Sequence, residues 1–204
     1  MNPRYRVMQK KGRFESLDPF KNTSIFIDAA TLCFYRENFV SCYLTLVPVI
    51  EGVILRWMGF QDGDTKPKFE ELRKFFELFH RRQPHPWNTE FHGIFNRVCH
   101  LVLNKHFFRH TTNGESHNDF NRHIATHLLR TSKFATKDNC IRLFLLLDTM
   151  SEIYVLEQRR KDVRRDLKNE DMADDIAIFT SLFVGSTTHS AEYQILNPTQ
   201  DLES

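Results

Sequence analysis

An arginine and two histidines stand close together at Arg122, His123 and His127, at the head of a stretch that reads NRHIATHLLRTSKFATKDNCIRLFLLLDTMSEI from Asn121 to Ile153. Arg122 brings a fixed positive charge and a planar fork of donors suited to a phosphate. His127 brings the side chain whose unperturbed pKa lets it give or take a proton near neutral pH. A second pair at a comparable interval, Arg73 and His80, falls inside an evident amphipathic segment whose aromatic residues face a core, and it reads as coincidence.

The motif needs a helix to carry it. Ser116 and Asp119 have the spacing of a capping box, with Asp in place of the longer Glu or Gln, so a helix is expected to begin near 118–120. Each residue of a helix turns about 100°, so side chains five positions apart point about 140° away from one another. Arg122 and His127 can serve one site only if the arginine reaches around the helix or if the site lies in a groove between two helices, and the second arrangement points towards a homodimer. Beyond Lys133, Phe134 and Ala135, Thr136 can cap a helix running to about Arg160, with Ile141, Phe144, Leu145, Met150 and Ile153 among its buried residues and Asp148 set in an otherwise apolar stretch.

The earlier part of the chain supplies the partners. Residues 1–22 carry Arg4, Arg6, Lys10, Lys11 and Arg13 without a clear period and read as a mobile basic arm. From Ser24 to Met58 the pattern predicts one long helix or two in series, since Pro48 lacks a backbone donor and should bend or break the run. Tyr43 to Phe60 is the most apolar segment, yet Glu51 and Arg56 interrupt it, so it reads as a core helix rather than a membrane span. Apolar residues at 69, 72, 75, 76 and 79 predict a helix over 66–82 with one buried stripe. After the turn at Pro84, His85 and Pro86, a helix from Asn88 to about His106 is expected to turn Phe91, Ile94, Phe95, Val98, Val102 and Leu103 inward. Arg159, Arg160, Lys161, Arg164 and Arg165 face an acidic run from Glu170 to Asp175 with which they can pair, and the polar residues 185–204 read as a poorly ordered tail.

Composition bounds these readings. With 204 residues, of which 41% are hydrophobic and 26% charged, the chain can bury one sizeable core, placed at residues 23–184. Nineteen Phe against seven Gly and seven Pro, with few alternating apolar runs, favour an all-α fold, a single-domain helical bundle. A net charge of +2 announces no nucleic-acid partner in bulk, so any such partner must be held locally. Cys33, Cys42, Cys99 and Cys140 lie in apolar contexts without a C-x-x-C pair, which fits buried thiols in a reducing cytoplasm, with no disulfides expected. The basic start of the chain lacks the apolar segment of a secretory signal.

Arg122, His123 and His127 together resemble the signature of the HEPN superfamily, small all-α domains of prokaryotic toxins and defence proteins: an arginine, a polar residue, and a histidine four to six positions beyond the arginine. The resemblance extends to a long early helix with an acidic residue in an apolar run, here Tyr43 to Met58 with Glu51, and to the long helix after the motif; it covers residues 24 to 165. It implies an endoribonuclease that needs no metal or cofactor. Two protomers would line one groove with both copies of Arg122 and His127, one histidine taking the proton of a ribose 2′-hydroxyl and the other protonating the leaving 5′-oxygen. Arg122 would stabilise the phosphoryl charge, His123 would orient the pair or touch the phosphate, and Glu51 would support the site. RNA, a second copy of the chain and an antitoxin or defence-system protein are the partners so implied.

Two other classes compete. A HEPN-like module could bind RNA or a nucleotide, or simply dimerise, without cleaving anything. A metal-dependent hydrolase could use His106 with His110, or His123 with His127, each pair four apart on expected helices, although no H-E-x-x-H occurs and no carboxylate stands at a recognised ligand spacing. Arg122 and His127 could also belong to a plain hydrogen-bond network, and Glu51 and Asp148 could be satisfied polar groups inside a bundle.

Overall fold

In a computed structural model of the chain, the described residues are 1–61, 63–77, 83–109, 120–126, 134–159, 164 and 167–185, and all their regular structure is helical. The first element is α1 (Pro3–Gln9), started by Pro3 and by the Asn2 side chain, whose Oδ1 accepts from the backbone N–H of Tyr5 at 3.2 Å. It widens into a π-turn at Lys10–Phe14 and is followed by the short α2 (Asp18–Lys21). The mobile arm expected over 1–22 is therefore corrected. Its basic residues follow no simple period because Val7, Phe14, Leu17 and Phe20 are shared among three short elements, and all four are buried in the core.

Two of the arm's arginines go inward as well. Arg6 Nη2 donates to both oxygens of Asp148, at 2.5 and 2.6 Å, while its guanidinium lies 5.1 Å from the ring centre of Phe144. Burial pushes the Asp148 carboxyl above its ordinary value, against the pull of the Arg6 charge. Arg13 reaches Glu152 at 3.2 Å, and the other oxygen of Glu152 takes Arg164 at 2.7 Å. Arg164 crosses directly over Gly12, where a Cβ atom would collide with its side chain, so glycine is required by close approach.

The long early run breaks, but not at Pro48. It divides into α3 (Ser24–Tyr35) and α4 (Phe39–Trp57) at Glu37, whose φ of +58° turns the chain, and Asn38 then caps α4 by accepting from Ser41 N–H at 3.1 Å. Pro48 sits on the exposed side of an unbroken α4, where the carbonyl it leaves without a helical partner can turn to water. By length and composition α4 could cross a membrane, with a mean hydropathy of 1.6; half of that window is buried inside the bundle. α3 packs on one side of α4 and α8 (Lys137–Gln158) on another. Thr136 caps α8 as its sequence predicts, accepting from Asn139 N–H at 3.2 Å, and Arg159 ends it in the left-handed region. α9 (Ala173–Gly185) lies against α1 and α3, with Phe179 packed on Tyr35.

Between these come α5 (Phe69–Lys74), shorter than the helix expected over 66–82, and α6 (Thr89–Val102), which closes in a π-turn at Leu103–Phe107. Leu72, Phe75 and Phe76 are buried as the stripe predicts, and Trp57 makes edge contacts with both phenylalanines. The inward face expected for α6 is half right. Phe95, Val102 and Leu103 pack on the core as expected, together with Asn96 and Cys99, but Phe91, Ile94 and Val98 are exposed, so the buried face is rotated from the expected one. The cause is polar: His92 Nε2 meets the buried Glu157 Oε1 of α8 at 3.0 Å, and this bond fixes which side of α6 faces the bundle. Leu145, expected inside, is likewise exposed.

The opposed charge blocks do not join each other among the described residues. Asp175 pairs instead with Lys10 and Lys11, at 3.3 and 3.2 Å, and Lys10 also holds Asp28 at 2.9 Å. Residues 186–204, which include nearly all of the expected tail, lie outside the described residues.

Candidate functional site

The last helix to place is α7 (Arg122–Thr126), which buries Ile124 and Ala125 and is capped by the side chain of Asn121. Asn121 is buried; its Oδ1 accepts from His123 N–H at 2.8 Å and Ile124 N–H at 3.3 Å, while its Nδ2 donates to the carbonyls of His106 at 3.2 Å and Arg109 at 2.8 Å. One amide therefore caps the start of α7 and closes the end of the α6 π-turn. The expected start near 118–120 is corrected: the helix begins at Arg122 with Asn121 as its cap, and Ser116 and Asp119 lie outside the described residues. Asn is among the strongest helix-capping residues, so this signal was present in the sequence one position before the motif. Asn121→Ala should cost about 2–4 kcal/mol in urea unfolding, since two N–H groups lose a cap and a buried carbonyl pair loses its donor.

Arg122 points from α7 towards α4. Its Nε lies 2.8 Å from Glu51 Oε2, and the other oxygen of Glu51 takes Lys66 Nζ at 2.7 Å. The carboxylate is nine-tenths buried, so each oxygen carries one cation and the three groups together keep one positive charge. The guanidinium also lies 5.7 Å from the ring centre of Phe69, within cation–π range. With Nε committed to Glu51, the two terminal nitrogens of Arg122 make no hydrogen bond among the described residues.

Arg122 also lines a small cavity of about 150 Å³, together with Phe69, Phe107, Phe108, Arg109 and His123. A water occupies about 30 Å³ of liquid and drug-sized sites begin at about 300 Å³. The cavity thus suits one phosphate group or one flat ring, with aromatic walls and two arginines beside it. Phe108 meets Phe69 at 5.3 Å and Phe107 at 4.9 Å, edge to face, which stiffens the floor.

Of the residues singled out in the sequence, the structure brings together Glu51, Arg122 and His123. His127 lies just beyond the described part of α7 and outside the described residues, as does His110. Lys66, Arg109 and Asn121 join the site without being singled out by the sequence, and Phe69, expected on the buried stripe, turns out to border the site at the start of α5. Among the described residues no three His, Cys, Asp or Glu side chains converge as a metal site would require. No protein-family model, curated protein sequence or solved structure matches the chain.

Proposed function

We propose that this protein is an endoribonuclease with a HEPN-like fold and site, acting by 2′-hydroxyl attack without a metal or cofactor. The observation that supports it is the contact of Arg122 with Glu51. Two residues 71 positions apart, each singled out by the resemblance, meet at 2.8 Å, and the contact uses Nε while leaving the fork of terminal nitrogens open. That division of labour suits phosphoryl binding, because a guanidinium anchored at one edge can present two parallel donors at the other.

In this reading, Arg122 grips the scissile phosphate and balances the charge that grows on its oxygens in the transition state. Glu51 is a positioning residue, holding the arginine without touching substrate. His127 moves the protons: a neutral copy accepts from the 2′-hydroxyl while a protonated copy donates to the departing 5′-oxygen. A single His127 cannot do both at once, so two chains would pair their motifs in a homodimer. His123 and Arg109 would hold the neighbouring phosphate or base in the aromatic cavity. A prokaryotic toxin, with an antitoxin partner, or a defence effector is the setting this chemistry suits.

The decisive experiment is the chemistry of the product. Purified protein incubated with RNA in excess EDTA should leave 2′,3′-cyclic phosphate or its opened form on the 5′ fragment, and a 2′-deoxy substitution at the cut site should block cleavage there. Cleavage that stops on chelation and returns with zinc or manganese would replace this reading with the metal-dependent one. Binding of RNA without cutting, across broad RNA sets including tRNA, would leave the non-catalytic module.

A further inference from the structure

The rotation of α6 leaves a face that no other described residue covers. Trp87, Phe91, Ile94 and Val98 are 77%, 59%, 51% and 45% exposed, and their spacing of four, three and four is that of the seam of two paired helices. Large apolar side chains exposed in a continuous row mark a contact surface.

We propose that this face is an isologous interface, with α6 of one copy lying antiparallel on α6 of a second. The charges beside the seam select the occupant and the register. Glu90 and Arg97 flank the row on the same side, seven residues apart, both are exposed, and neither carries an ion pair or side-chain hydrogen bond among the described residues. In an antiparallel pair, side chains on this flank meet their own kind across the two-fold axis. If Phe91 packs on the partner's Ile94, Glu90 stands opposite the partner's Arg97, and symmetry repeats both contacts.

The same register uses the shape of the surface. Trp87 then faces the partner's Val98, at the mouth of a largely apolar groove of about 420 Å³ between α6 and α8, where Val98, Val102, Leu145 and Leu146 stand with the polar His106, Arg142 and Thr149. Trp87 is stacked flat on His85, with ring centres 4.7 Å apart and planes 3° apart, so it is held ready as a knob. A preset tryptophan entering an apolar groove is the sort of anchor that dominates binding. The axis falls between His92 and Gly93.

This contact is distinct from the one that a composite site needs. His106, whose carbonyl holds Asn121 beside the motif, is about 20 Å along the helix from the axis, at 1.5 Å per residue. The two motifs would lie far apart on this dimer, and a protein that used both contacts would assemble as a dimer of dimers.

The test is charge reversal read by analytical ultracentrifugation at micromolar concentration. Glu90→Arg and Arg97→Glu should each weaken the association roughly tenfold, because each turns two attractive pairs into two repulsive ones. The double reversal should restore it. Ile94→Asp should halve the assembled mass while circular dichroism keeps the helical signal, since the residue is on the surface. A wild type that sediments as one chain overturns the proposal, as does an Ile94→Asp variant with the wild-type mass. Failure of the double reversal to recover what the single ones lose overturns the register. RNA cleavage by 2′-hydroxyl attack is measured separately, so either proposal can fail alone.

Discussion

His127→Ala should lower the rate of RNA cleavage by at least about a thousandfold, because one substitution removes both the base and the acid from a two-fold site and each such group contributes about 10²–10⁴. RNA affinity should change little. Arg122→Ala should reduce affinity and turnover together, and Arg122→Lys should rescue poorly, since an ammonium cannot both reach Glu51 and grip two phosphoryl oxygens. Glu51→Gln separates the roles further. It keeps an acceptor for Arg122 Nε but gives up the charge that holds Lys66 and Arg122 side by side, so turnover should fall more than binding. Single-turnover rates and fluorescence anisotropy on one labelled RNA would measure both quantities. Equal RNA affinity in all four variants, with no cleavage by the wild type, would remove the ribonuclease reading.

The second large effect concerns stability. Asp148→Ala should lower the unfolding free energy by about 3–5 kcal/mol, because it strands the buried Arg6 charge. For a chain of this length that corresponds to roughly 6–20 °C in Tm. Arg6 already has its Nε and Nη1 buried without a hydrogen-bond partner, so no second acceptor stands ready to replace the carboxylate. The double variant Arg6→Met with Asp148→Leu should recover most of the loss, since two apolar side chains beside Phe144 need no partner. A double variant as unstable as Asp148→Ala would show that the pair does more than neutralise itself. Differential scanning calorimetry of the three proteins decides it.

The sequence reading succeeded where one physical signal dominates. Period alone placed α8, its Thr136 cap and the buried stripe of α5, and composition alone excluded a sheet among the described residues. It failed where apolar residues outnumber the places available to them. α6 carries enough large side chains for two faces, and the bond between His92 and Glu157, partners 65 residues apart, chooses between those faces. The arm over 1–22 failed for a related reason: a basic segment reads as solvated until Asp148, Glu152 and Asp175, far along the chain, are seen to face it. At the candidate site the sequence supplied Glu51, Arg122 and His123, whose types announce charge and proton chemistry. It did not mark Lys66, which pairs with Glu51, or Phe69 and Arg109 as lining the cavity, which they do only through the way α5 and the α6 π-turn close on α7.

The ties of the first helix also set an order of events during synthesis. Arg4 binds Asn169, Arg6 binds Asp148 and Lys10 binds Asp175, so residues that leave the ribosome early have partners 142 to 165 positions later. At about 5–20 residues per second the wait is on the order of ten seconds. Through that interval Val7, Phe14 and Phe20 lack the finished core that covers them. Chain closure is then a late step whose entropy cost grows with the length of the loop it shuts. A nascent chain stalled before residue 148 should hold α3 and α4 as a hairpin while its first twenty residues remain open to proteases, and release of the full chain should close them off.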